Sequence, residues 1–119
     1  MKKRKIVIPE NYLLRVPTRQ ATIEWKLDDN GIVTLMIENT GWANRIAQKL
    51  LFRPQYSQVH LDKYGSFVWQ SMDGEMDITA IGKLVEEEFG ENSHPLYERL
   101  ARYFQILDSY HFISWKSTE

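Results

Sequence analysis

The chain has 119 residues, 43% of them hydrophobic and 13% aromatic, with no cysteine and a net charge of −1 at pH 7. This length fits one domain that buries about 60–70% of its unfolded surface, and the apolar content excludes disorder. No ~20-residue apolar run or signal segment is present, and the missing cysteines exclude disulfides, zinc–thiolate centres and a cysteine nucleophile, which fits a cytoplasmic protein.

Charge is distributed unevenly. Residues 1–26 hold seven basic and two acidic groups, whereas the remainder holds eight basic and fourteen acidic ones. The Lys2-Lys3-Arg4-Lys5 tetrad reads as a solvated terminus, with nucleic acid or anionic lipid as the sharper alternative. Pro9 and Pro17 each disfavour helix in the residue before them, so Glu10 to Arg19 is expected to be extended or turn-rich. Residues 1–20 are therefore taken as a basic arm, and residues 21–119 as a single domain.

Ala21 to Leu27 alternates, with Ile23, Trp25 and Leu27 opposite Thr22, Glu24 and Lys26. Ile32 to Glu38 returns as a second strand. Between them Asn30-Gly31 is the pair that tolerates positive φ twice in a hairpin turn. Thr40 to Phe52 changes period: Trp42, Ile46 and Leu50 recur every fourth residue, which predicts a short amphipathic helix covering the sheet and ending before Pro54. A membrane-surface role is the rival reading of that basic segment. Ser57 to Leu61 alternates again and forms a third strand.

Asp62 stands at a helix N-cap, followed by an apolar helix face at Phe67, Val68, Trp69 and Met72. Asp73-Gly74 stops that helix. Asp77 caps the next, whose apolar positions are Ile78, Ile81, Leu84, Val85 and Phe89. Ser93 or His94 is expected to cap a third helix, with Pro95 in its first turn. That helix buries Leu96, Leu100, Tyr103, Phe104 and Leu107. Tyr110 to Trp115 then alternates as a terminal strand or extended tail packing back on the core. The elements predict an α+β winged helix-turn-helix fold: a small three-stranded antiparallel sheet packed on a three-helix bundle, with an extra short helix between strands 2 and 3.

Nothing in this pattern announces catalysis. His60, His94 and His111 lie in separate elements without metal-ligand spacing. Glu86, Glu87 and Glu88 are consecutive on a helix and so diverge by 100° each. No metal, cofactor or enzymatic activity is expected. Winged helices often bind DNA, but the second helix is acidic where phosphate contacts demand basic groups, so no specific nucleic acid is expected. A DNA-binding transcriptional regulator remains the alternative function, and an edge strand used only for a homodimer a further one.

The run Leu61-Asp62, Gly65, Val68-Trp69, Asp73-Gly74, Ile78, Ile81 and Phe89, continued by Leu96, Leu100, Phe104, Leu107 and Phe112-Ile113, resembles the PqqD family of small peptide-binding proteins over about residues 21–113. Two departures are Asp77, where the family often has Thr, and a longer connection from Thr40 to Tyr56. The resemblance implies a peptide chaperone that serves as the recognition element for a ribosomally synthesised precursor peptide, as in biosynthesis of pyrroloquinoline quinone (PQQ). The leader would be held as an added strand and presented to a radical S-adenosylmethionine enzyme. By the same resemblance the backbone of Ser57, Gln58, Val59, His60 and Leu61 would pair with the peptide, and Tyr97, Leu100, Ala101 and Phe104 would line its groove. The acidic helix Ile78–Phe89 would be free to dock the enzyme. No membrane partner is implied.

Overall fold

A computed structural model describes residues 10–38 and 56–116. After a 3-10 turn at Glu10–Leu14 come β1 (Pro17–Arg19), β2 (Glu24–Leu27), β3 (Val33–Glu38) and β4 (Tyr56–His60). They are followed by α1 (Lys63–Ser71), α2 (Ile78–Phe89), a 3-10 turn (Gly90–Ser93), α3 (Leu96–Ser109) and β5 (Ile113–Trp115). Among the described residues three α-helices and two small antiparallel sheets make an α+β protein, the predicted class; the predicted three-stranded sheet is β2–β3–β4, and the β1–β5 pair is a second sheet that the sequence pattern does not anticipate. The expected helix over Thr40–Phe52 lies outside the described residues.

The chain divides into two units, residues 21–66 and residues 1–20 with 67–119. In the first, β2, β3 and β4 form one antiparallel sheet in that order. The register sets Trp25 opposite Leu35 and Leu27 opposite Val33. It also sets Leu35 opposite Val59. Val33 and Leu35 are fully buried. Trp25 and Leu27, on the same face, stay 36% and 50% exposed, so the apolar side of β2 does not reach the interior that its alternation predicts.

The β2–β3 turn also differs from expectation. Only Gly31 takes positive φ, at 80°, and the Asp28 carboxylate accepts hydrogen bonds from the N–H groups of Asn30 (2.8 Å) and Ile32 (3.0 Å). The pair closing the hairpin is Asp28 and Ile32, joined by the Asp28 N–H to the Ile32 carbonyl (3.0 Å). The loop therefore has three residues with one left-handed glycine, not a two-residue Asn-Gly turn.

At its other end the β3–β4 ladder closes on a side chain. Leu61 N–H donates to the Val33 carbonyl (2.9 Å). The return bond is split by Ser66, whose Oγ accepts from Val33 N–H (2.8 Å) and donates to the Leu61 carbonyl (3.4 Å). Ser66 sits in the first turn of α1, which Asp62 caps by accepting from Gly65 N–H (2.6 Å).

In the second unit the buried side chains are Val68 and Trp69 of α1, Met72 just after it, Ile78, Ile81 and Val85 of α2, and Leu100, Phe104 and Leu107 of α3. Each helix buries the centre of the stripe that its apolar spacing marks out, while Phe67, Leu84, Phe89, Leu96 and Tyr103 at the margins are only partly buried. Gly74 turns the chain between α1 and α2 with φ 81°, and Asp77 caps α2 by accepting from Ala80 N–H (2.8 Å). At α3 the expected cap is not made. Ser93 Oγ donates to the Gly90 carbonyl (2.6 Å), His94 Nε2 meets the Glu86 carboxylate (3.0 Å), and Pro95 itself takes the cap position.

The N-terminal residues contribute structure of their own. β1 pairs antiparallel with β5, Pro17 opposite Trp115 and Arg19 opposite Ile113. The strand is flanked by bonds from Ile78 N–H to the Arg15 carbonyl (3.1 Å) and from Lys116 N–H to the Val16 carbonyl (2.9 Å). Thr79 Oγ1 also donates to the Leu13 carbonyl (3.1 Å). Residues 10–14, expected to be extended or turn-rich, form a 3-10 turn, and the Arg15 guanidinium lies 4.0 Å above the Trp115 ring.

Candidate functional site

The exposed chemistry of β4 follows from its register. In an antiparallel ladder successive residues direct their main-chain groups to opposite sides. Leu61 bonds to Val33, and the pairs Leu35–Val59 and Ile37–Ser57 continue that register in steps of two. Ser57, Val59 and Leu61 thus turn their N–H groups toward β3. Gln58 and His60 turn theirs away from it, and among the described residues no strand lies on that side. β4 is an open edge there.

Both outward-bonding residues are exposed, and their side chains share a sheet face with Thr34 and Met36. The buried Thr34 hydroxyl lies 2.7 Å from His60 Nδ1, which fixes the imidazole over the sheet rather than over the edge. His60 is in this way positioned but leaves the edge accessible.

The α3 residues implied by the resemblance fall into three environments. Leu100 and Phe104 are interior, as their spacing alone requires, and the Phe104 ring lies 6.2 Å from that of Trp115. Tyr97 is half-buried and lies across Gly82 of α2; a Cβ on that glycine would stand 2.7 Å from Tyr97 Cε1. Ala101 is 2% exposed and lines a surface hollow with Glu98, Arg102, Gln105, Ile106 and Ser109. Sequence reasoning missed these five outer residues, because charged and polar positions off the apolar stripe look like an ordinary solvated face.

Burial pushes the Tyr12 phenol up, partly offset by the positive charge of Arg15. Hydrogen bonds from Glu75 and Met76 N–H (2.8 and 2.9 Å) hold the Asp73 carboxyl below its usual range. Among the described residues no three His, Cys, Asp or Glu side chains gather as a metal site, and no helix is long and apolar enough to cross a membrane.

The described fold and its exposed chemistry define a small α+β protein presenting main-chain hydrogen-bonding groups along one strand edge. Residues 44–113, more than half of the chain, match the family of coenzyme PQQ synthesis protein D (PqqD), and the chain belongs to that family. No curated protein and no solved structure matches it. The match begins inside the connection between β3 and β4, so β2 and β3 lie N-terminal to it. Membership suggests a peptide-binding role in PQQ biosynthesis.

Proposed function

We propose that the protein captures the leader of a ribosomally synthesised precursor peptide by strand addition to β4, and presents it to a radical S-adenosylmethionine enzyme. In this reading the elements adopt the winged-helix arrangement, the protein performs no chemistry of its own, and it acts in the cytoplasm. The observation that carries the proposal is the outward set of the Gln58 and His60 main-chain groups on an edge with no described neighbour. Family membership supplies the class of ligand.

Strand addition draws affinity from main-chain hydrogen bonds and specificity from alternate side chains. Two outward residues offer two donors and two acceptors, each bond netting about 0.5–1.5 kcal/mol. Further affinity must come from side-chain contacts. Glu86, Glu87 and Glu88 are exposed on α2, and the proposal gives that acidic surface to a basic patch on the enzyme.

Proline substitution separates the two sides of the strand. His60→Pro removes an outward N–H and leaves the β3 ladder intact, a placement that edge strands tolerate. Val59→Pro removes an N–H directed at β3. The expected result is at least a tenfold loss of leader binding in His60→Pro with the fold retained, against lowered stability in Val59→Pro. Gln58→Pro serves as a second outward probe. Full leader affinity in both folded outward variants would overturn the proposal.

A further inference from the structure

The polar face of the β2–β3–β4 sheet holds an imidazole in one orientation. The register places Lys26, Thr34 and His60 in one cross-strand row, and Glu24, Met36 and Gln58 in the next. Thr34 is 5% exposed, and its hydroxyl lies 2.7 Å from His60 Nδ1. Among the described residues no other side chain bonds to that hydroxyl. A buried hydroxyl proton without an acceptor is costly, so Thr34 donates and Nδ1 accepts. The neutral ring then carries its proton on Nε2, and in a protonated ring both nitrogens donate, so Nε2 is a donor in either state. The two nitrogens of the five-membered ring point about 144° apart. With Nδ1 directed at β3, Nε2–H is directed back across β4 toward the open edge, and no described group accepts from it.

Resting on the strand-addition reading, we infer that His60 selects an acidic side chain at the peptide residue directly across from it, with Thr34 as the residue that positions the ring. His60 directs its main-chain groups outward, so an antiparallel peptide residue bonded to it projects its own side chain on the same face. Side chains in this relation have Cβ atoms about 4.5–5.5 Å apart, within reach of an aspartate or glutamate carboxylate turned to Nε2–H. A hydrogen bond to an ionised acceptor is roughly twice as strong as one between neutral groups. An ammonium at the same position sets a donor against a donor. The other charges of this face contribute little to the choice. Lys26 stands three strand spacings from the added strand, about 14 Å, beyond the screening length of about 8 Å at physiological salt. Asp62 and Lys63, next along the chain, are of opposite sign, and the Asp62 carboxylate accepts from Gly65 N–H (2.6 Å). The peptide residues on either side turn to the face of Val59 and Leu35, so the pattern read is apolar–acidic–apolar.

The test uses synthetic nine-residue peptides alternating threonine with valine, with blocked ends and glutamate, glutamine or lysine at the central position. Each is titrated into the full-length isotope-labelled protein and followed at the Gln58 and His60 amides. The glutamate peptide is expected to bind about tenfold more tightly than the lysine peptide and about threefold more tightly than the glutamine one. His60→Phe keeps a ring without a donor and is expected to bring the three affinities within about twofold of one another. Thr34→Val removes the hydroxyl and keeps the side-chain shape. It should weaken the preference for glutamate and move the His60 Nδ1 resonance, and Thr34→Ser should restore both. Equal affinities in the wild-type protein, or a preference that survives in His60→Phe or in folded Thr34→Val, overturns the inference. Shifts at the Gln58 and His60 amides with no preference would leave strand addition standing and remove only the selecting role of His60. Silence of those two amides with all three peptides would remove both.

Discussion

The two units of this protein satisfy their main chains in different ways. In the unit containing the helices, buried side chains such as Trp69, Ile81 and Phe104 enclose hydrogen-bonded helical backbone. In the unit formed by residues 21–66, the fully buried apolar side chains among the described residues are Val33 and Leu35, both on the middle strand. β2 is exposed along its whole length, and β4 leaves two residues' main-chain groups unmatched among the described residues. A helix cannot offer its mid-backbone to a ligand, because each N–H is already committed four residues back. An edge strand can, and that is the physical reason for placing peptide capture on β4.

The largest effect that would sharpen this contrast is in the helical interior. Phe104→Ala removes a fully buried ring and is expected to cost about 3–5 kcal/mol, measured by urea denaturation. Leu27→Ala, at a 50% exposed position of β2, should cost far less in the same assay. A Leu27 variant as damaging as the Phe104 one would break the comparison.

Next in size is Ser66→Ala. It removes the acceptor of the buried Val33 N–H and the bridge to the Leu61 carbonyl, so the expected cost is about 1–3 kcal/mol. Faster exchange of the Val33 amide should accompany it. Stability equal to wild type would show that the ladder end does not depend on the hydroxyl.

A smaller effect with the opposite sign is expected at the end of α3. His111 has φ 61°, and Phe112 N–H reaches back to the Leu107 carbonyl (2.9 Å), the bond of a Schellman stop. Glycine adopts that conformation without the steric cost of a Cβ. His111→Gly should raise stability by about 0.5–1 kcal/mol. A lower melting temperature would mean that the imidazole contributes more than the strain it imposes.

The smallest effect is electrostatic. The Asp73 carboxyl is held below its usual range by Glu75 and Met76 N–H groups. Its contribution is present above the unfolded-state value, about 3.9, and is lost as pH falls through the lower folded-state value. Asp73→Asn should flatten stability against pH in that acidic window and leave the neutral region nearly unchanged. An identical acid profile in the variant would assign the pH dependence to other carboxylates.

What could be foreseen from sequence depended on how far apart the determinants lie. The Asp62 and Asp77 caps are legible because each acts on an N–H three residues away. The β2–β3 hairpin follows from alternation and a short connection. The pairing of β1 with β5 joins Pro17 to Trp115, and no local pattern encodes a partner at that distance. Asn30-Gly31 misled because the dipeptide suits a two-residue turn, while the Asp28 side chain selects a three-residue one. On β4 the alternation marks a strand, but which of its N–H groups point outward is set by the register and is not legible in the sequence. On α3 the apolar stripe drew attention to Leu100 and Phe104, whereas the surface hollow lies one strip away at Glu98, Arg102 and Ile106.

Amide hydrogen exchange along β4, with and without a leader peptide, tests the central claim most directly. Without peptide, the Val59 and Leu61 amides should be protected by β3 while those of Gln58 and His60 exchange fast. With saturating leader, Gln58 and His60 should become protected, and the protection of Val59 and Leu61 should change little. Bound peptide that leaves the Gln58 and His60 amides exchanging at their free rates would contradict strand addition at this edge.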